Sequence, residues 1–228
     1  MKFPALAASV LLALANAHAA DKASGPLSSE AQRTSYAIGI DVGQSLARQG
    51  VMPDVDAFLM GVQDGLSGTK PRITPEQYQS AMASLTKSVN DRFKETAKIN
   101  LDAGKAFLAD NKKQPGVTEL SSGLQYKELR KGSGAHPKAG ETVVAHYTGT
   151  LIDGTKFDST KDRNEPATIP LDGVIKGWQE ALPLMTVGSR WQIFVPPNLA
   201  YGVKGQGVIG PNQTLVFEIE LLEIKGGK

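Results

Sequence analysis

Little in this chain of 228 residues is equipped for covalent chemistry. Cysteine is absent, which removes thiolate nucleophiles, disulfides and zinc ribbons together. Beyond the first twenty residues the histidines are His136 and His146. Without cysteine they make a poor metal site, and no metal ligand is expected. His146 alternates with Ala145 and Tyr147, so it reads as a surface or hydrogen-bonded histidine. No G-x-S-x-G elbow occurs, which leaves a serine hydrolase without support. Gly205-Gln206-Gly207-Val208-Ile209-Gly210 matches G-x-G-x-x-G on paper. A dinucleotide site needs a strand before that motif and a helix after it, facing the pyrophosphate. Pro211 and a strand-like run from Thr214 follow instead, so a flexible loop and no cofactor are expected. What remains is a set of apolar and aromatic residues with a few polar ones among them. It comprises Val144 to Leu151 with Tyr147, Gly154 to Ser159 with Phe157 and Asp158, and Val174, Ile175, Gly177 and Trp178. Pro197 to Gly202 with Tyr201, and Thr214 to Leu221 with Phe217, complete it. Taken singly, Tyr147, Trp178 and Phe217 are the kind of residue that more often fills a core.

Composition narrows the partners. Hydrophobic residues make up 40% and charged residues 21% of the chain, close to globular averages. The formal net charge is +2, and basic and acidic residues balance on both sides of the Pro115-Gly116 break. With no basic half and no basic stripe, nucleic acid is not an expected partner. At the N-terminus Lys2 precedes an apolar run from Ala5 to Ala15, then Ala17-His18-Ala19. This reads as a signal peptide over residues 1–19. The run is about half of the roughly 20 residues a bilayer span needs. Export to a bacterial periplasm is the expectation, with outer-membrane association open. Asn212-Gln213-Thr214 matches a glycosylation acceptor but means little in that compartment.

Two textures divide the rest. From Leu27 to Lys113 apolar residues recur at helical spacing. Ser29 with Gln32 forms a capping box ahead of a stripe of Ala31, Ile38, Val42 and Leu46 that ends at Gly50. Asp54 caps a second helix with Val55, Phe58, Leu59, Val62 and Leu66 on one face, ending near Gly68. Thr74-Pro75-Glu76-Gln77 starts a third. If it runs from Pro75 to Lys112, it is about 57 Å long. Its first half carries Tyr78, Met82, Leu85, Val89 and Phe93; its second half becomes charged, with Glu95–Lys98 and Asp102–Lys105 pairs supporting a solvated stalk. So small a helical unit has little core of its own, and a second copy is expected to supply one. Gly39-x-x-x-Gly43 either permits close helix contact there or sits in an ordinary helix tolerating two glycines. After Gly116 the period changes to two. Thr142–Thr148, Arg190–Val195 and Thr214–Ile224 read as strands, Asp153-Gly154 as a hairpin turn, and Gly177–Leu184 as a short helix.

In their order and spacing, the segments around Tyr147, Phe157-Asp158, Val174–Trp178, Ala200-Tyr201-Gly202 and Phe217 resemble the FKBP-type peptidyl-prolyl cis-trans isomerases over residues 117–225. The part before them is similar to the helical dimerisation region of the secreted macrophage infectivity potentiator (Mip)-like members. Phe107–Lys113 followed by Ser122–Lys127 looks like that subgroup's linker. The resemblance implies an α+β fold: an N-terminal all-α dimerisation region with a long stalk helix, then a curved antiparallel sheet around a short helix. The domains implied are 20–73, helical dimerisation region; 74–116, linker helix; and 117–228, isomerase domain. Tyr147, Phe157, Val174, Ile175, Trp178 and Phe217 would bind the proline ring, with Trp178 as the floor. The Ile175 N–H and the Tyr201 hydroxyl would hold substrate carbonyls. Asp158 would sit beside the twisting amide with Arg163 fixing its carboxylate; the alternative is a structural Asp paired with Arg163.

The implied activity is isomerisation of X-Pro bonds in exported, partly folded polypeptides, by a homodimer joined through 27–68. A periplasmic holdase chaperone with incidental isomerase activity and a catalytically silent peptide-binding module are the alternatives. Tacrolimus or rapamycin binding is a further expectation of the family. Two departures bear on it. Ala167 stands where many members place a wall phenylalanine, and the loop Val203–Gly210 is shorter by a residue, with Gln206 where some carry histidine.

Overall fold

The computed structural model describes residues 27–226; the expected leader lies outside them. The chain divides into two compact units between Pro71 and Arg72.

The first unit holds two helices. α1 (Glu30–Arg48) starts at the expected capping box: the Gln32 N–H donates to Ser29 Oγ at 3.1 Å and the Ser29 N–H donates to Gln32 Oε1 at 3.0 Å. α2 (Val55–Ser67) is capped by Asp54, which accepts from the Ala57 N–H at 2.9 Å. It stops at Gly68, whose φ of +67° is a left-handed conformation that costs glycine little. Neither helix contains a buried residue. Val55, Phe58, Leu59, Val62 and Leu66 are all exposed, Leu66 at 86%.

The second unit opens with α3 (Pro75–Asn111), 37 residues behind a Thr74–Gln77 capping box with proline in the first turn. Its ion pairs differ from those read from spacing. Lys98 bridges Asp102 at 2.5 Å, and Lys87 bridges Asp91 at 2.5 Å, both at i,i+4. That spacing sets the longer side chains one above the other on the same helix face. Nor is the second half of the helix a free stalk. Ala97 and Gly104 are buried, and the Phe107 ring centroid lies 5.9 Å from that of Phe194.

The remainder is one antiparallel sheet. Its strands are β1 (Val117–Glu119), β2 (Gln125–Arg130), β3 (Thr142–Leu151), β4 (Lys156–Ser159), β5 (Ala167–Pro170), β6 (Arg190–Val195) and β7 (Leu215–Lys225), and α4 (Lys176–Ala181) lies between β5 and β6. The strand order is β1-β2-β6-β7-β3-β4, with β5 pairing β3. β7 therefore lies centrally and pairs along its length with β3, from Leu151↔Leu215 to Thr142↔Lys225, past a bulge at Val144/Ala145. Strand alternation decides the two faces. Trp191, Ile193 and Val195 on β6 join Val143, Ala145, Leu215, Ile219 and Leu221 in the core that also holds Trp178, Ala181, Leu182 and Met185. Phe194 projects from the other face and meets α3. Buried Gln125, the cross-strand partner of Phe194, ties that contact down. Its side-chain amide donates to Leu108 O at 2.9 Å and to Glu119 at 3.0 Å, and accepts from Asn111 at 2.8 Å. A fully bonded buried amide costs little and fixes one docking geometry.

Candidate active site

Five elements converge around Trp178. The indole sits one turn into α4 and is 4% exposed. Gly177 lets the helix lie flat on β6, since a Cβ there would stand 2.5 Å from Val195 Cγ1. Tyr147 on β3 meets the indole edge-on, centroids 5.2 Å apart at 89°, and Phe217 on β7 does so at 5.3 Å and 85°. Phe157 on β4 packs against Phe217 at 5.6 Å and 84°. Edge-to-face contact is the favoured arrangement of aromatic quadrupoles, so these four rings hold one another in place. Val174 and Ile175, at the head of α4, and Tyr201, after the 3₁₀ turn Pro197–Leu199, pack partly buried against the same core.

The Tyr147 hydroxyl donates to Asp158 Oδ2, and Arg163 Nη1 donates to Asp158 Oδ1 at 2.8 Å. Burial, the largest single effect on Asp158, pushes its carboxyl up; the bonds from Arg163 and Tyr147 together outweigh it and hold the group below the usual carboxylate range. The Tyr147 phenol is pushed up by burial and then by Asp158. The Tyr201 phenol is likewise raised, by burial first and by the Asp158 charge second, so it stays a donor at neutral pH. Besides the buried indole N–H of Trp178, two donors are left over: among the described residues, neither the Tyr201 hydroxyl nor the Ile175 N–H bonds to another group of the chain.

All nine residues singled out in the sequence thus fall in or beside one cluster, six of them in direct contact. Reasoning from motifs overlooked two supports. Gly149 faces Phe217 and Asp158 across the sheet, and a Cβ there would lie 2.6 Å from the Phe157 ring and 2.9 Å from Phe217. Fully buried Thr160 binds the strand carrying Tyr147: its Oγ1 accepts from the Tyr147 N–H at 2.9 Å and lies 3.0 Å from His146 Nδ1. A glycine between two threonines and a threonine outside the aromatic pattern give no signal of these contacts in one dimension. The loop Gly205–Gly210 closes on itself through Gln206 and Ile209, with N–H to O distances of 2.8 and 2.9 Å, and leads into β7 with no helix behind it. Ala167 is half-buried on β5 opposite Ala145. Among the described residues no group of three or more histidines and carboxylates could hold a metal ion, and no helix is long and apolar enough to cross a membrane.

An antiparallel sheet packs here against one short helix, whose Trp178 lies at the centre of an aromatic cluster. Comparison with known proteins gives the family. Residues 133–222 match the family of FKBP-type peptidyl-prolyl cis-trans isomerases, and residues 31–127 match the domain amino terminal to such isomerases. The outer membrane protein MIP of Legionella longbeachae is 43% identical over 99% of both chains. The peptidyl-prolyl cis-trans isomerase Mip of Coxiella burnetii is 40% identical over 97% of this chain and 96% of its own. The crystal structure of FkpA from Escherichia coli superposes with a TM-score of 0.68 at 36% identity, covering 89% of this chain and all of that one. The chain belongs to the FKBP-type peptidyl-prolyl cis-trans isomerases, and is an enzyme of that class. Within the family it stands with the Mip-like members, in which a helical domain precedes the isomerase domain.

Proposed function

We propose that the aromatic cluster takes up the proline ring of an X-Pro segment, with Trp178 beneath it and Tyr147, Phe157, Val174, Ile175 and Phe217 around it. Rotation about the bond faces a barrier of roughly 18–20 kcal/mol and takes tens to hundreds of seconds uncatalysed. Acceleration of about 10⁵-fold requires roughly 7 kcal/mol of binding that the planar amide does not receive. In the transition state the amide has lost resonance: its oxygen is less negative, its carbon more electrophilic, its nitrogen more pyramidal. A cluster walled by rings solvates the strongly dipolar planar amide poorly and disfavours the twisted one less. Asp158, kept ionised by Arg163 and Tyr147, lies beside the carbonyl carbon as it becomes electrophilic. The Ile175 N–H and the Tyr201 hydroxyl hold flanking substrate carbonyls. The observation that carries this assignment is the division of the polar groups: Asp158 has both oxygens bonded within the chain, while the Tyr201 hydroxyl and the Ile175 N–H bond to no other group among the described residues.

The assignment is tested with Asp158→Ala and Tyr201→Phe on short X-Pro peptides. Each should lower kcat/KM while thermal stability changes little. Full activity in both folded variants would demote them to structural residues.

The same reading extends to the assembly. The protein is exported to the periplasm, in keeping with its similarity to an outer membrane protein, and two copies join through residues 27–68, covering the apolar face of α2. The isomerase module begins at residue 117, with 20–73 as the dimerisation region and 74–116 as the connecting helix. Its substrates are proline-containing, partly folded polypeptides. Tacrolimus and rapamycin are ligands of the same pocket, loosened where Ala167 replaces a ring. A holdase role beside the enzyme is favoured by the exposed Tyr78, Met82, Leu85 and Phe93 along α3. Deleting residues 20–73 should spare peptide turnover and weaken help to an unfolded protein; equal refolding by both forms would defeat the holdase role.

A further inference from the structure

Tyr201 opens a loop that needs holding. From Gly202 to Gly210 the chain contains four glycines, three of them at positive φ, and such a segment has much conformational freedom to lose. Its neck is drawn together at Gly202, whose carbonyl accepts the Asn212 N–H at 2.9 Å and the Gly205 N–H at 3.4 Å. Asn212 has φ +53°, a left-handed conformation that asparagine tolerates better than most residues. In that conformation its side-chain Nδ2 donates to Ala97 O in α3 at 3.1 Å. One turn along the same helix face, Asn100 Nδ2 donates to Pro211 O at 2.8 Å. A turn further, Gly104 lets α3 close onto Thr214, the residue before β7. The two amides thus form a reciprocal clamp, loop side chain to helix carbonyl and helix side chain to loop carbonyl, between segments more than a hundred residues apart.

We propose that Asn100 and Asn212 are positioning residues for isomerisation: by clamping the neck of the 202–212 loop to α3 they set the place of the Tyr201 hydroxyl. The inference rests on Tyr201 contacting substrate, as read above. It makes the last four turns of α3 part of the frame of the active site. Among the described residues the Tyr201 hydroxyl bonds to no other group, so apart from the packing of its ring against the core its placement depends on the backbone that carries it.

The experiment uses the full-length protein with Asn100→Ala and Asn212→Asp, each alone and combined with Tyr201→Phe. Asn212→Asp keeps size and left-handed tolerance but loses the donor. Each asparagine variant should lower kcat/KM about fivefold, the factor for one hydrogen bond of ordinary strength. In the Tyr201→Phe background neither should lower it further, because residues acting through one group are not additive. The protein has five tyrosines, so 3-fluorotyrosine labelling should give five ¹⁹F signals, of which Tyr201→Phe assigns one. That signal should shift in both asparagine variants while the Tyr147 signal, assigned with Tyr147→Phe, stays. Equal losses in both backgrounds, or an unmoved Tyr201 signal, overturn the inference. Unchanged activity in the asparagine variants beside an impaired Tyr201→Phe overturns it while leaving the role of Tyr201 standing. A fully active Tyr201→Phe overturns that role instead, and the inference with it. Should Asn212→Asp not fold, Asn100→Ala carries the same comparison, since it places a better helix former on α3.

Discussion

Glycine inside a helix normally weakens it by about 1 kcal/mol relative to alanine, so Gly104→Ala in α3 ought to stabilise the protein. The docking of α3 reverses that expectation. An added Cβ would stand 2.2 Å from Thr214 Oγ1 and 3.2 Å from Thr214 Cβ, and overpacking of this kind costs about 1–3 kcal/mol. The clash exceeds the helix gain, and Gly104→Ala should destabilise by about 1 kcal/mol. Thr214 supplies the control, because its hydroxyl is buried without a partner among the described residues. Thr214→Ala removes an unsatisfied group together with a methyl, two effects of similar size and opposite sign. In that background the contact falls to the 3.2 Å Cβ approach, which a small shift relieves, and Gly104→Ala should stabilise by up to about 1 kcal/mol. The two sites therefore couple by about 2 kcal/mol. Urea unfolding followed by tryptophan fluorescence measures this, since both tryptophans, Trp178 and Trp191, belong to the sheet core. If Gly104→Ala stabilises the protein with Thr214 intact, α3 does not lie against β7 in solution, and the clamp argument falls with it.

Three other outcomes are expected. Because the Asp158 carboxyl is held below the ordinary 3.8, its contribution to stability is complete above the unfolded value and is lost only as pH falls through the lower folded one. kcat/KM should therefore be flat from about pH 7 to pH 5, and Arg163→Met, which leaves burial less opposed, should move the acid limb upward; a limb unmoved by that change refutes the assignment. Gly149→Ala should cost about 1–3 kcal/mol by driving a methyl into the Phe157 and Phe217 rings, and should lower peptide turnover by shifting the cluster walls; wild-type stability and turnover would contradict the packing. Phe58→Lys with Leu59→Lys on α2 should give a monomer by light scattering with unaltered turnover of short peptides, and a wild-type protein that is itself monomeric defeats the assembly claim.

Local interactions made much of this protein legible in one dimension. Ser29–Gln32, Asp54 and Thr74–Gln77 mark helix starts because a cap is complete within four residues. Asp153-Gly154 marks its hairpin because the turn's φ requirement is met by the residue that sits there. Eight of the nine candidate site residues, all but Arg163, are legible through the order and spacing of five segments, although no one of them is distinctive alone. What stayed hidden depends on contacts between distant residues. Lys98 could pair with Glu95 or Asp102 by sequence, and side-chain direction along the helix selects Asp102. The second half of α3 reads as a solvated stalk because its apolar residues are few. It docks through Gly104, Phe107 and the amides of Asn100 and Asn111, which form no hydrophobic stripe. Gly149, Thr160 and Asn212 gain their roles from what folding brings within 4 Å of them. Periodicity reports which face of an element is apolar; only the packed structure decides which partner meets it and which polar groups are left free to hold a substrate.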